Sequence, residues 1–357
     1  MNNPDLNLLQ SEAVTLLKHL IATPSFSKEE NDTAELIIDF FKEHDIPHAK
    51  VGNNIYAKNK YYDPSKQSIL LNSHHDTVKP NKSYTMDPFT PVEKDGMLFG
   101  LGSNDAGGCL VSLMATFLHF YGQEKLRYNV VFAASAEEEI SGVNGIELVL
   151  PYLGQIDFGI VGEPTKLEMA VAERGLMVID CIAQGRPGHA ARNEGENALY
   201  KALEDIQWIR NCQFGKVSDL LGESRMTVTV IETENKQHNV VPSQCKFVID
   251  VRVNELYTFD EILESLKNNL KSQFKPRTTR MKSTSISLDH PLVKAGLKMG
   301  RTYYGSPTTS DKALMPFPAL KMGPGDSARS HTADEYIYLD EIRNGIELYI
   351  KLLNGFI

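Results

Sequence analysis

The chain has 357 residues, of which 41% are hydrophobic and 23% charged, and a formal net charge of -9. This composition is typical of a globular protein, and the length is sufficient for one large domain or two smaller ones. The acidic balance disfavours nucleic acid as a partner, and no stretch reaches the apolar length that a membrane-spanning helix requires.

The first part of the chain reads as alternating helices and strands. Amphipathic patterns predict helices at 8–22 and 33–44, and residues 107–120, apolar nearly all round, predict a buried helix. Continuous apolar runs predict three strands, at 68–73, 129–135 and 158–162. Such runs are typical of a largely parallel sheet with helices on both faces, so the sequence predicts an α/β fold with a mixed, largely parallel sheet.

The pattern changes at about Glu173. Strand, helix, strand, strand, helix and strand follow in that order, at 175–185, 197–210, 225–233, 244–253, 258–270 and 282–288. This order is typical of a ferredoxin-like (βαββαβ) domain. Two helices then follow, at 291–304 and 339–353. We therefore predict a discontinuous domain of residues 1–172 and 282–357 that carries an inserted domain of residues 173–281.

Two features of the sequence indicate a reducing compartment. The four cysteines (Cys109, Cys181, Cys212 and Cys245) are far apart and form no C-x-x-C pair, which argues against a disulfide framework or a zinc ribbon. The N-terminal segment has no basic region followed by an apolar block, so it does not read as a signal peptide. Both features favour a cytoplasmic protein.

Polar residues close the first predicted strand, whose sequence continues as ILLNSHHDTV. Side chains alternate along a strand, so His74 and Asp76 share one side while His75 points to the other. A carboxylate beside a histidine can fix the second ring nitrogen and raise the basicity of a metal-ligating imidazole. The alternative is that both histidines are polar strand-end residues without a ligand.

Five further candidate ligands or catalytic groups follow strands or lie in glycine-rich loops. Asp105 lies in GLGSNDAGG, just before the buried helix, where the simpler role is that of an N-cap. The run SAEEEISG follows the second strand and contains Glu138 and Glu139, which would otherwise form a solvated acidic loop. Glu163 ends the third strand, and His331 lies in GPGDSARSHTADEY. Two histidines and three carboxylates in such places suit a pair of zinc ions, with Glu138 free to take a proton.

The ordered motifs resemble the di-zinc amidohydrolases and peptidases that include acetylornithine deacetylase, succinyl-diaminopimelate desuccinylase, aminoacylase and carboxypeptidase G. The motifs are SHHDTVKP, DPF, GLGSNDAGG, AEEEISG, GEPT, GHAAR, NVVPSQC, DVR and GPGDSARSHTADEY. The resemblance implies a zinc-peptidase-like catalytic domain with an inserted dimerisation domain, and two divalent metal ions, zinc or cobalt.

The same resemblance implies roles for individual residues. One metal would be held by His74 and Glu163 and the other by Glu139 and His331, with Asp105 bridging. Asp76 would orient His74, and Glu138 would be the general base. The residues after the EEE run favour Glu138 and Glu139 over Glu137 and Glu138 for the last pair of roles.

Further roles fall on the inserted domain and on one late loop. The resemblance implies that His189 reaches across a homodimer to the substrate carbonyl, and that Asn239 and Arg252 contact the substrate. Gly323 and Gly325 would let the backbone approach the amino-acid part of the substrate.

The resemblance implies hydrolysis of the amide bond of an N-acyl-L-amino acid. The motifs and length are most similar to those of an enzyme acting on N-acetylornithine, or a related N-acyl ornithine or citrulline, in arginine biosynthesis. Succinyl-diaminopimelate desuccinylase or di- or tripeptidase activity is the alternative reading. A catalytically inactive metal- or ligand-binding homologue is the non-enzyme alternative.

Overall fold

The computed structural model describes residues 5–192, 194–355 and 357. The chain divides into two compact units. Unit 1 comprises the residues up to Val171 together with Ile286–Tyr304 and Ser310–Ile357, and unit 2 comprises Ala172–Ser285 and Gly305–Thr309.

Helices and strands are numbered here in chain order. The α-helices are α1 (Leu6–Ile21), α2 (Asn31–Glu43), α3 (Gly108–Tyr121), α4 (Ile146–Leu153), α5 (Ala198–Asn211), α6 (Phe259–Asn269), α7 (Pro291–Lys298) and α8 (Leu339–Asn354). The β-strands are β1 (His48–Val51), β2 (Asn54–Lys58), β3 (Ser68–His74), β4 (Val92–Lys94), β5 (Met97–Phe99), β6 (Asn129–Ser135), β7 (Phe158–Val161), β8 (Met169–Glu173), β9 (Gly175–Gln184), β10 (Gly188–His189), β11 (Arg225–Thr233), β12 (Val240–Val241), β13 (Gln244–Val253), β14 (Gln273–Pro276), β15 (Thr284–Ser285), β16 (Tyr303–Ser306), β17 (Ala319–Lys321) and β18 (Tyr336–Tyr338).

The main sheet of unit 1 is mixed, with a parallel centre. Its strand order is β1-β2-β6-β3-β7-β17-β8. Strand β3 runs parallel to both β6 and β7, and β17 runs parallel to β7. The antiparallel pairs β1–β2, β2–β6 and β17–β8 lie towards the two edges. The structure confirms the predicted α/β class with a mixed, largely parallel sheet.

Helices cover both faces of this sheet. Val131 and Phe132 are neighbours on β6 and therefore point to opposite faces. Val131 packs in a cluster with residues of α4, whereas the ring of Phe132 contacts the rings of Phe41 on α2 and Phe117 on α3. Burial on both faces explains why the central strands are continuous apolar runs in the sequence.

The parallel strands bring polar residues to one edge of the sheet. His74 ends β3 directly opposite Ser135, the last residue of β6. Asn72 on β3 lies opposite Val161, the last residue of β7. The segments that follow β3, β6 and β7 therefore begin side by side, at the end of a parallel sheet where ligands commonly bind.

Unit 2 contains the predicted ferredoxin-like arrangement. Its four-stranded sheet has the order β11-β13-β9-β14, with antiparallel pairing throughout. Helices α5 and α6 cover it, burying Ile209 and Leu266 among the sheet residues. Asn197 caps α5 by accepting two backbone N–H groups, and Thr258 with Glu261 forms a capping box at the start of α6.

Two predicted elements are wrong in extent or place. The last strand of the ferredoxin-like sheet is β14 (Gln273–Pro276) and not residues 282–288, of which only Thr284–Ser285 form a strand, paired with the end of β8. Strand β14 was not recognised because QFKP has one large apolar residue. The helix predicted at 291–304 ends at Lys298, since Gly300 has a φ of 75°, which α-helical backbone does not adopt.

Among the described residues, no helix combines the length and apolar character that crossing a membrane requires. The four cysteines are free thiols, and Cys109, Cys181 and Cys245 are buried.

Candidate metal centre

His74 is deeply buried in the candidate site, with 2% of its surface exposed. Its Nε2 atom lies 3.3 Å from Asp105 Oδ1, 3.9 Å from Glu163 Oε1 and 4.0 Å from Glu138 Oε2. The other ring nitrogen, Nδ1, lies 3.0 Å from the backbone oxygen of Asp76 and 3.4 Å from its Oδ1 atom. The bond to Asp76 leaves Nε2 to face three carboxylates.

Asp105 lies between the two candidate histidines. Its Oδ1 atom faces His74, and its Oδ2 atom lies 3.8 Å from Nε2 of His331. The same His331 nitrogen lies 3.1 Å and 3.2 Å from the two carboxylate oxygens of Glu139. The peptide bond between Asp105 and Ala106 is cis. One oxygen of Asp105 thus faces each histidine, which is the arrangement that a bridging carboxylate needs.

The EEE run forms a tight turn that separates its three side chains. Glu137 has a φ of 54°, and its carboxylate accepts hydrogen bonds from the backbone and side chain of Asn144. Glu138 and Glu139 begin a short 3-10 helix, and the Asp76 carboxylate accepts their backbone N–H groups at 3.0 Å and 3.1 Å. Asp76 therefore connects the His74 segment to the acidic turn, a contact that strand parity did not predict.

Glu163 lies just after β7 and is 8% exposed. Its Oε1 atom is buried and has no hydrogen-bond partner among the described residues. A buried carboxylate oxygen without a partner is costly, and a metal ion is one way to satisfy it.

Burial and neighbouring carboxylates raise the pKa values of three glutamates of the site. Burial raises the pKa of Glu163 to about 8, and the Asp105 carboxylate adds to this effect against the opposing charge of Lys321. Burial also raises the pKa of Glu138 well above its usual range, with further contributions from Glu163 and other acids nearby. Burial raises the pKa of Glu139 as well. These groups resist carrying their charges together unless a cation lies among them.

The pKa values of the two histidines are also raised, because carboxylates favour the protonated ring. Burial opposes protonation of His74, but the Asp105 and Asp76 carboxylates outweigh it and hold the pKa of His74 well above its usual value. The hydrogen bond to Glu139 raises the pKa of His331 to about 9. Both histidines therefore face a strongly negative environment, which would equally attract a divalent cation.

The donor atoms fit a metal centre. Two groups of side chains each present ligand atoms that all lie within 4.8 Å of one another, namely His74, Glu138 and Glu163, and His74, Asp105 and Glu139. Imidazole nitrogen and carboxylate oxygen donors accept zinc, cobalt or manganese. The unsatisfied oxygen of Glu163 supports the fit. How individual ligands divide between two ions stays a prediction.

Three predicted substrate residues belong to unit 2. His189 is exposed, and its Nδ1 atom accepts the N–H of Ala191. His189 pairs with Val240, and the backbone oxygen of Asn239 accepts the N–H of Ala190. Pairing of β10 with β12 therefore brings His189 and Asn239 together.

The third of these residues, Arg252, forms a two-pronged ion pair. Its Nε and Nη2 atoms lie 2.8 Å and 3.0 Å from the carboxylate oxygens of Asp250 on the same strand. The planar guanidinium group of Arg252, predicted to contact the substrate, thus already binds a carboxylate within the protein.

The two predicted glycines are buried and have a packing reason. A Cβ atom on Gly323 would lie 2.6 Å from Cys109 Sγ, and one on Gly325 would lie 2.5 Å from Asn104 Oδ1. Gly325 also has a φ of 88°, which favours glycine. Substrate approach to this backbone stays a prediction.

Sequence reasoning missed two buried glutamates that accept hydrogen bonds from loops of the site. Glu30 accepts the N–H of Glu137 at 3.1 Å. Glu335 accepts three N–H groups of the Asp105 loop, and burial together with the nearby Asp105 carboxylate raises its pKa to about 8. Glu335 stands in the HTADEY motif, whereas nothing in the sequence distinguishes Glu30.

His75 has a structural place. Its ring lies 2.9 Å from Thr33 Oγ1 and 2.9 Å from the backbone oxygen of Asn53. Burial lowers its pKa, which favours the neutral ring. It points away from His74, as strand alternation predicts.

Fold and site together define a metal-dependent hydrolase, and comparison with known proteins identifies the family. The chain belongs to peptidase family M20/M25/M40, whose model matches residues 70–355.

Relatives and solved structures agree with this assignment. A succinyl-diaminopimelate desuccinylase of Wolbachia pipientis wMel is 26% identical over 382 residues, which covers 98% of this chain and 94% of the relative. A protein of the same name from Rickettsia bellii (strain OSU 85-389) is 27% identical over 275 residues, covering 72% and 70%.

Two solved structures show the same fold at low sequence identity. The aminopeptidase PepT of Bacillus cereus has a TM-score of 0.78 at 18% identity, covering 97% of this chain and 98% of that one. The YXEP protein of Bacillus subtilis, described as a dinuclear metal-binding peptidase of the M20 family, has a TM-score of 0.72 at 14% identity, with the same coverage.

The unsatisfied oxygen of Glu163 yields a prediction about metal content. Replacing Glu163 by Gln should lower the affinity for one of two metal ions. The loss should exceed the roughly 10–100-fold that removal of an outer-shell partner costs. After chelation and titration with zinc, the variant should retain one tightly bound ion per chain. Glu137→Gln is the matched control, since its carboxylate faces Asn144. Unchanged affinity for both ions in Glu163→Gln would rule out Glu163 as a ligand.

Proposed function

We propose that this chain is an amidohydrolase that removes a carboxylate-bearing acyl group, of the succinyl class, from the amine of an amino acid. The observation that carries the hydrolytic part is the position of Asp105, with one oxygen towards each of two histidines and with Glu138 beside His74.

The metal ligands would be His74, Glu163, Glu139 and His331, with Asp105 shared between two ions, zinc or alternatively cobalt. Bound there, such a pair of ions would polarise the amide carbonyl and lower the pKa of water.

The chain's own residues would then manage the proton. Glu138 would take a proton from the water that adds to the acyl carbon, and would deliver it to the nitrogen as the C–N bond breaks. The products are the free amine of the amino acid and the carboxylate of the acyl group. The Asp76 carboxylate, which accepts the backbone N–H groups of Glu138 and Glu139, would hold Glu138 in place.

The acyl class is supported by a group of cations in unit 2. Burial, together with the guanidinium groups of Arg225 and Arg252, lowers the pKa of Arg174. Arg225 and Arg252 are cross-strand partners. Asp250 pairs with Arg252, whereas the guanidinium of Arg225 has no hydrogen-bond or ion-pair partner among the described residues. Adjacent arginines of this kind favour a ligand with a free carboxylate.

The relatives favour the same substrate class. Those described above are named succinyl-diaminopimelate desuccinylases, and a succinyl group keeps a free carboxylate that an acetyl group lacks. The motif resemblance favours N-acetylornithine, a reading that neither the relatives nor the arginine group supports.

A homodimer through unit 2 is part of the proposal. Strand β11 is an edge strand that exposes Val230 and Ile231, and α5, which packs against it, exposes Tyr200 and Leu203. Unpaired edges and apolar side chains of this kind favour association. His189 would then act on the substrate bound by the other subunit.

The general-base role leads to a prediction about Glu138. Glu138→Gln keeps the shape of the side chain but cannot carry the proton, so turnover should fall by about 100-fold or more. Zinc content should stay at two ions per chain. Turnover close to that of the wild type would contradict the role.

Hybrid dimers extend this experiment to His189. Glu138→Gln and His189→Ala should each be inactive alone, and mixing them after subunit exchange should restore part of the activity. Restoration is expected because one of the two sites in a hybrid then has both residues. If the mixture stays inactive while subunit exchange is demonstrated, His189 does not act in trans.

The arginine group leads to a prediction about acyl specificity. Arg225→Gln should lower kcat/KM for an N-succinyl amino acid by about 10–100-fold, the loss expected for one charged hydrogen bond. The low rate with the matching N-acetyl substrate should not change. The control is Arg277→Gln, which changes an exposed arginine of unit 2 that pairs with Asp180. An equal effect on both substrates, or no effect, would contradict recognition of the acyl carboxylate by Arg225.

A further inference from the structure

A buried carboxylate outside the predicted ligand set, that of Glu335, is bonded to the loop that carries Asp105. Its Oε1 atom accepts the N–H groups of Asn104 and Asp105, both at 2.9 Å, and Oε2 accepts the N–H of Gly102 at 3.2 Å. The backbone oxygen of Glu335 accepts the N–H of Gly100 at 2.9 Å. Glu335 therefore accepts hydrogen bonds from four backbone N–H groups of this loop.

Glu335 belongs to the segment that also presents His331. A second link joins the same two parts of the chain, since the side chain of Asn104 donates to the backbone oxygen of Asp326 and accepts its N–H. The distance between Asp105 Oδ2 and His331 Nε2, 3.8 Å, is thus set by contacts between these two segments.

We propose that Glu335 is a positioning residue of the metal centre, which fixes the Asp105 carboxylate between His74 and His331 without itself being a ligand. The inference rests on the proposed function, because it takes Asp105 as the shared ligand. A shared carboxylate must present one oxygen to each ion, so a small shift of its backbone would disturb both. Hydrogen bonds from N–H groups to a carboxylate are stronger than those to a neutral acceptor, and three of them limit such a shift.

The competing explanation is that Glu335 only stabilises the fold. Unit 2 offers a matched control for that explanation in Asp205, which is 3% exposed. The Asp205 carboxylate likewise accepts backbone N–H groups, from Lys271 at 3.0 Å and Ser272 at 2.8 Å. A purely structural carboxylate of this kind should affect stability but not the affinity for metal.

The test compares Glu335→Gln with Asp205→Asn in the full chain. Both changes replace a carboxylate oxygen by an amide NH2 group that faces backbone donors. Zinc affinity is measured by competition with a chromophoric chelator, and Tm by circular dichroism. Glu335→Gln should bind zinc about 10–100-fold more weakly, the loss typical of an outer-shell partner. Asp205→Asn should lower Tm without changing zinc affinity.

The outcomes separate this inference from the proposed function. If the wild type binds two zinc ions and Glu335→Gln binds them equally well, the positioning role is overturned and the metal centre stands. If the wild type binds none, the proposed function fails and this inference fails with it. If Glu335→Gln does not fold, the positioning role is tested instead by amide hydrogen exchange in the metal-free wild type. Protection of the amides of Gly102, Asn104 and Asp105 supports the role, and exchange at the rate of an unstructured peptide overturns it.

Discussion

Four carboxylates collected at one end of the unit 1 sheet repel one another. Asp105, Glu138, Glu139 and Glu163 all lie close to His74 or His331 in a largely buried site. Burial removes the water that would otherwise screen these charges, so the pKa of Glu163 is raised to about 8 and those of Glu138 and Glu139 are also raised. A pair of divalent cations would offset this repulsion, which is why the site fits a metal-dependent hydrolase of the M20 family.

The fold holds such a site together with backbone N–H groups. The Asp76 carboxylate accepts the N–H groups of the acidic turn, and Glu335 accepts those of the Asp105 loop. Each carboxylate that accepts these bonds sits on a segment that also carries a candidate histidine ligand, His74 or His331. The parallel strands β3, β6 and β7 bring the segments of His74, Glu138 and Glu163 side by side, and hydrogen bonds join the Asp105 loop to the segment of His331. Stability of the loops and geometry of the metal centre are therefore connected.

Much of this could be predicted from the sequence, and the exceptions have physical reasons. Strands buried on both faces, such as β6, are continuous apolar runs and were found almost to the residue. Edge strand β14 was missed because it buries little apolar surface, and α7 was extended too far because the apolar pattern continues past the turn at Gly300. Candidate ligands were found because they follow strands or lie in glycine-rich loops. Glu30 and Glu335 were missed because each accepts backbone N–H groups from a distant segment, a contact that the local sequence does not encode, even though Glu335 stands in a recognised motif.

In the proposed metal centre, two metal ions lie on either side of the Asp105 carboxylate. Anomalous scattering at the zinc edge, from crystals of the zinc-loaded protein, tests this most directly. Two peaks are expected, one beside His74 and Glu163 and the other beside His331 and Glu139, with one Asp105 oxygen towards each. A single peak, or peaks that do not include Asp105 among their ligands, would contradict it.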